Sequence, residues 1–233
     1  MNMLAAGVLG QQVSGGGPPS TPTLDLATEW WTPTDVSGSS IPGRRSASAL
    51  TLVGSPTATN DGTYRIVQLV KGSSQYLQAA SESPFRVTGD FSIVHVHKPR
   101  TLSGTTIMLA KRLGSNDGYN LFAAADVPTS TIDQGIPTTI TNGTISTSTI
   151  VDLSFGRVGA VQWLYRISTS RQTVACSSAS ITNSDEFRIN RGSGATTLYA
   201  DQDWYGTAVF IGTNLSDAQC STAVSELLAV GAL

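Results

Sequence analysis

Charge is what this sequence has least of. Asp, Glu, Lys and Arg make up 13% of the 233 residues, against the roughly 25% usual in globular domains. The net charge is −2 and no Lys/Arg-rich run occurs, so the electrostatic footprint of a nucleic-acid binder is missing. No apolar stretch approaches the roughly 20 residues that span a bilayer, and no membrane partner is expected. The opening MNMLAAGVLGQQ contains a short apolar run, Met3 to Leu9. No Lys or Arg precedes that run and no clear small-residue cleavage pattern follows, so it does not read as a signal peptide.

Cysteine and histidine are as scarce. Cys176 and Cys220 give no disulfide framework, and their spacing has no CxxC character that would suggest zinc. They read as two small buried hydrophobes, with a single disulfide left open. His95 and His97 share one face of an extended segment. A metal site needs three or four ligands, and no Cys, Asp or Glu stands beside them, so they read as two polar strand positions. P-loops, nucleophile elbows and dinucleotide fingerprints are missing too, and neither metal nor cofactor is expected.

Ser, Thr and Gly fill the space that charge leaves, the profile of short strands joined by many turns. The length suits one large β domain or two small ones. Residues 10–23, GQQVSGGGPPSTPT, have nothing to pack. Residues 1–23 therefore form a flexible or extended N-terminal arm, in which Leu4, Gly7-Val8, Leu9 and Val13 are candidate contacts with a partner. Residues 24–233 form the folded domain, with a lead-in segment over 24–46. In that segment Trp30 and Trp31 read first as anchors in the domain's own core, and second as part of the docking surface.

Strands follow. Tyr64 to Val70 alternates apolar and polar residues. Phe91 to Val96, Thr106 to Lys111 and Tyr119 to Ala124 are β-forming, the last two flanking a GSNDG turn. Asn142-Gly143 is a preferred type I′ pair, which predicts a hairpin in which Thr141 faces Thr144 and Ile140 faces Ile145. Further strands are predicted at Ala160 to Ser168, Gln172 to Cys176, Glu186 to Asn190 and Trp204 to Gly212. Many short strands argue for a sandwich or jelly roll. The end differs. Ser216 and Gln219 complete a capping box, and Cys220, Ala223, Val224, Leu227 and Leu228 follow helical spacing up to Gly231.

The order of several motifs resembles a family. Gln75-Tyr76-Leu77 followed by Gly89-Asp90-Phe91-Ser92-Ile93 is similar to the opening of laminin-G-like, concanavalin-A-like jelly rolls. Ile107 to Lys111 with Asp117-Gly118-Tyr119 resembles the hairpin of that family. Phe187-Arg188-Ile189, Tyr205-Gly206, Val209-Phe210-Ile211 and Asn214-Leu215-Ser216 resemble its closing strands and short helix. The resemblance runs over about 48–230 and departs in the middle, where Ala160-Val161-Gln162-Trp163 stands in for the usual Trp-His strand. It implies an all-β antiparallel sandwich with one short C-terminal helix. The family spans carbohydrate-binding modules, adhesive domains, glycan hydrolases and virion proteins, so fold alone does not assign function.

Hydrolases of this fold need paired carboxylates on one strand face. The nearest approach here is Asp201-x-Asp203 beside Trp204, which reads equally as a solvated turn. Asn116-Asp117 reads as a turn and not as a calcium site. No enzyme is expected. Asp117, Tyr119, Asp201, Asp203 and Trp204 make up the candidate ligand surface. The first functional expectation is a structural virion protein, a phage capsid decoration or tail-associated component that docks through its arm onto other virion proteins, with a homo-oligomer as one form. The alternative is a carbohydrate-binding or adhesion module, extracellular or at a cell surface, holding a surface glycan. A glycan hydrolase or lyase is third.

Overall fold

The computed structural model describes residues 22–45, 47–113, 117–134, 138–147, 149–192 and 198–233. Leu4, Gly7, Val8, Leu9 and Val13, and most of the GSNDG turn, lie outside the described residues. In chain order the strands are β1 (Glu29–Trp31), β2 (Ser40–Ile41), β3 (Leu50–Val53), β4 (Thr57–Asn60), β5 (Arg65–Leu69), β6 (Tyr76–Ala79), β7 (Phe91–Pro99) and β8 (Thr105–Leu113). There follow β9 (Asp117–Ala124), β10 (Val127–Gln134), β11 (Thr138–Thr141), β12 (Val151–Val158), β13 (Val161–Tyr165), β14 (Gln172–Ala175), β15 (Arg188–Ile189) and β16 (Gln202–Ile211), and the helix α1 (Asp217–Gly231) closes the chain.

Two antiparallel sheets of eight strands result. The first runs β14-β13-β12-β7-β16-β5-β4, with β1 alongside the second half of β16. The second runs β11-β10-β9-β8-β15-β6-β3-β2. The fold is a β-sandwich with one C-terminal helix, as the sequence predicts.

The central strand β7 is buried along both faces, which is why FSIVHV is apolar without strict alternation. Phe91 and Ile93 point between the sheets, into a core that also takes Trp31, Phe85, Leu109, Leu121, Phe155, Phe187 and Trp204. Val94 and Val96 point outward, where a second cluster includes Tyr205, Phe210, Leu215, Cys220, Ala223 and Leu227. The first sheet is thus sandwiched between the second sheet and α1. The helix begins as the sequence predicts: the Ser216 side chain accepts from the Gln219 N–H at 3.3 Å, and the Gln219 side chain accepts from the Ser216 N–H at 2.9 Å. Glu226, on the same helix, accepts from the N–H groups of Thr23 and Leu24 at 3.0 and 2.8 Å, tying down the start of the lead-in segment.

Three expectations need correction. The Asn142-Gly143 hairpin does not form. Thr141 pairs with Thr129 and Ile140 with Ser130, in a hairpin of β10 and β11. The Asn142 amide is engaged elsewhere, donating to the carbonyls of Leu164 at 3.2 Å and Ser170 at 3.3 Å. Past Gly143, at φ +62°, the chain stays beside the start of β10, the Ile145 N–H donating to the Asp126 carbonyl at 2.8 Å. Second, Trp31 cannot dock a partner. It is fully buried, with its ring 5.6 Å from Phe85 and 5.8 Å from Phe187, and it donates its indole N–H to the Ser48 carbonyl at 2.8 Å. Trp30 is half-buried under the Arg44 guanidinium. Third, Gln202 and Asp203 lie within β16 and not in a turn before it. Cys176 and Cys220 are both free thiols, and burial pushes that of Cys220 up to about 11.

Candidate functional site

The outward face of the first sheet is covered by α1 at one end and open at the other. At the open end, register sets a row of polar side chains directly across neighbouring strands: Lys98 on β7, Asp203 on β16 and Gln68 on β5. Asp203 is only 7% exposed, and its Oδ1 lies 3.6 Å from the Arg100 Nε. Burial pushes its carboxyl up, against the pull of Arg100 and Lys98. Beside this row, Tyr205 donates its hydroxyl to Asp61 Oδ2 at 2.6 Å, and Tyr64 packs edge-on against Tyr205 at 5.9 Å. Burial works against the charged form of Asp61. The hydrogen bonds from Tyr205 and from the N–H groups of Tyr64 and Thr63 outweigh it and hold that carboxyl low.

Across β12 the same face ends in a cleft of about 240 Å³. Its walls are the segment that leaves β11 and the turn that leaves β13. Thr144, Ser146, Thr149 and Ser168 supply hydroxyls, Ile145 and Ile150 supply apolar wall, and Asp152 and Arg166 supply charge. Arg166 stitches the two walls together, donating to the Thr144 carbonyl and to Ser168 Oγ. Asp152 accepts from the Ile167 N–H at 2.7 Å. Burial raises its carboxyl, partly offset by that hydrogen bond and by Arg166. Acceptors, donors and an apolar surface therefore converge on one concave volume, which is the requirement for holding a small polyhydroxylated ligand.

Of the residues predicted from sequence, none lines the cleft, and Asp203 alone lies on the outward face, in the row with Lys98 and Gln68. Asp201 adjoins it, but its carboxylate is occupied as a staple: it accepts from the Lys71 N–H at 2.7 Å and the Thr101 hydroxyl at 3.1 Å. The two aspartates do not act as a pair. Trp204 and Tyr119 are fully buried and offer no stacking surface. Each falls on the inward face of its strand; the Trp204 indole donates to Thr207 Oγ1 at 2.9 Å and the Tyr119 hydroxyl to the Phe85 carbonyl at 3.2 Å. Asp117 opens β9, and its carbonyl accepts from Asn183. Sequence reasoning misses Asp152 and Arg166. The short apolar-polar alternation in Val151-Asp152-Leu153 is the one signal that points to Asp152.

The arrangement is that of a two-sheet β-sandwich. No family model matches the chain, and no curated protein matches its sequence. Solved structures do match in fold. The binding domain of Paraclostridial Mosquitocidal Protein 1 superposes with a TM-score of 0.67 at 11% identity, over 87% of this chain and 52% of that one. The botulinum neurotoxin type G receptor-binding domain gives 0.65 at 11% identity, over 85% of this chain and 51% of that one. A Trypanosoma rangeli sialidase gives 0.68 at 11% identity, over 96% of this chain and 36% of that one. The chain thus spans about half the length of the first two and about a third of the third. At such identity the likeness is one of fold.

Proposed function

We propose that this protein is a carbohydrate-binding module whose ligand site is the cleft at Asp152 and Arg166. One observation carries the reading: a half-buried carboxylate and a guanidinium converge with four hydroxyl side chains on a concave surface of a sandwich. Carboxylate and guanidinium form charge-assisted hydrogen bonds to vicinal hydroxyls, and Ile145 and Ile150 meet the apolar face of a ring. The matched structures support the direction. The type C botulinum neurotoxin depends on interaction with two ganglioside molecules to enter cells, and a related binding domain was solved in complex with a sialylated ligand. A glycan binder of this kind acts outside a cell or on a particle surface. No catalytic role is proposed.

The virion reading rests on the N-terminal arm, and none of the matched structures described above is a virion protein. The two readings separate experimentally. Deleting residues 1–21 leaves glycan binding intact under the module reading and abolishes particle attachment under the virion reading. The module itself is tested on a glycan array followed by titration calorimetry. Binding of some glycan at roughly millimolar affinity or better, lost in Arg166→Ala, is the expected outcome. No binding to any glycan in that range would overturn it.

A further inference from the structure

The chain contains two histidines, and the fold buries both. His95 and His97 lie on the inward face of β7, two residues apart, with their rings stacked at 4.9 Å and 29°. Leu153 and Val151 flank them on β12, and Thr207 and Trp204 on β16. His95 Nδ1 meets Thr207 Oγ1 at 2.9 Å, and that oxygen also accepts the Trp204 indole N–H. The Thr207 hydroxyl thus links the His95 ring to the Trp204 indole and holds His95 in place on the inward face. Among the described residues, both nitrogens of His97 have no hydrogen-bond partner, and the Gln202 amide neighbours His95.

We propose that the His95–His97 pair is a built-in acid trigger, holding the two sheets together at neutral pH and parting them in mildly acidic surroundings. Two imidazolium rings in contact cannot both be accommodated there. Each would be a buried charge, each would repel the other, and no acid among the described residues faces them. The other groups at this core are placed away from them. Tyr119, Lys111 and Arg157 gather at the Phe91 end of β7, about 13 to 20 Å along the strand at roughly 3.3 Å per residue. On β16 and β12 the neighbouring acids, Asp203 and Asp152, belong to the opposite face, as does Lys98 on β7 itself; Arg100 follows the end of β7. Burial takes the His95 pKa down to about 3, against a smaller upward pull from Gln202. Burial together with His95 takes that of His97 well below its ordinary 6.5.

The sign follows from linkage. A histidine with a depressed pKa binds its proton in the unfolded chain first, so stability is full above the unfolded value of about 6.5 and is lost as pH falls below it. The other groups do not mimic this. Asp152, Asp185 and Asp203 have raised pKa values and contribute with the opposite sign. Asp61 and Glu82, with lowered values, act below the window between about pH 7.5 and 5.

The test is urea unfolding of the full chain, followed by tryptophan fluorescence at pH values from about 7.5 to 5. The unfolding constant is expected to rise about a thousandfold across that range, the response of two protons taken up on unfolding. The double variant His95→Gln with His97→Gln should be flat. A flat wild-type profile would overturn the proposal, as would a double variant that keeps the wild-type slope. If the double variant fails to fold, the wild-type profile decides alone, because the chain has no other histidine.

Discussion

Glu29 and Gly43 are in contact that permits no side chain between them: a Cβ on Gly43 would overlap Glu29 Oε2. The Glu29 carboxylate is fully buried and accepts from the N–H groups of Trp30, Arg45, Ala47 and Ser48 at 2.7 to 3.1 Å. It is the hub around which the chain passes from β2 to β3. Glu29→Gln keeps the shape but sets an NH₂ group against these donors. It should lower stability by about 2 to 3 kcal/mol in urea unfolding. Gly43→Ala should cost at least as much, because Ser48 backbone as well as Glu29 blocks the new methyl group.

Two buried cations hold one loop. Arg157 donates to the carbonyls of Ser177, Ala179 and Gly89, and Lys111 to those of Asn183 and Asp185. Residues 176–187 are thereby pinned across the edge of the sandwich, with Val87 bridging to Ile181 at their centre. Arg157→Met would leave several carbonyls without donors, at about 1 to 3 kcal/mol for each one buried. Limited proteolysis should then cut within 176–187 while the wild type resists. Lys111→Met should expose the same segment, with cleavage nearer Asp185.

Trp204 separates the sequence reading from the structural one. Were it a sugar platform, Trp204→Ala would abolish binding and leave stability alone. Buried between the sheets, it should instead lose about 3 to 5 kcal/mol of stability on truncation. Thermal unfolding of the variant measures this directly.

Much of the frame is legible in the sequence because its signals are local. The Ser216–Gln219 capping box and the Cys220 to Leu227 stripe need only neighbouring residues, and both are present. The Asn142-Gly143 turn misleads because its competitor is distant: the Leu164 and Ser170 carbonyls that engage Asn142 are some twenty to thirty residues away. Trp204 and Tyr119 mislead for a related reason. Sequence shows that a strand alternates but not which of its faces meets the other sheet, and β16 also carries a register shift between Trp204 and Gly206. Asp152 and Arg166 cannot be paired from sequence, since the cleft exists only where two loops meet.

Under the proposed function, glycan is held in the cleft through Asp152. Its carboxyl is raised by burial, so ionisation opposes folding at neutral pH, and the loss appears as pH rises above the ordinary Asp value of 3.8. Asp152→Asn keeps an oxygen for the Ile167 N–H and removes the charge. The decisive measurement is calorimetric titration at about pH 7 of wild type and Asp152→Asn with a glycan found on the array, alongside their melting temperatures. The expected result is affinity reduced about tenfold or more, the loss of a charge-assisted hydrogen bond, with a melting temperature equal to or above the wild type. Unchanged affinity in a folded Asp152→Asn variant would contradict the assignment.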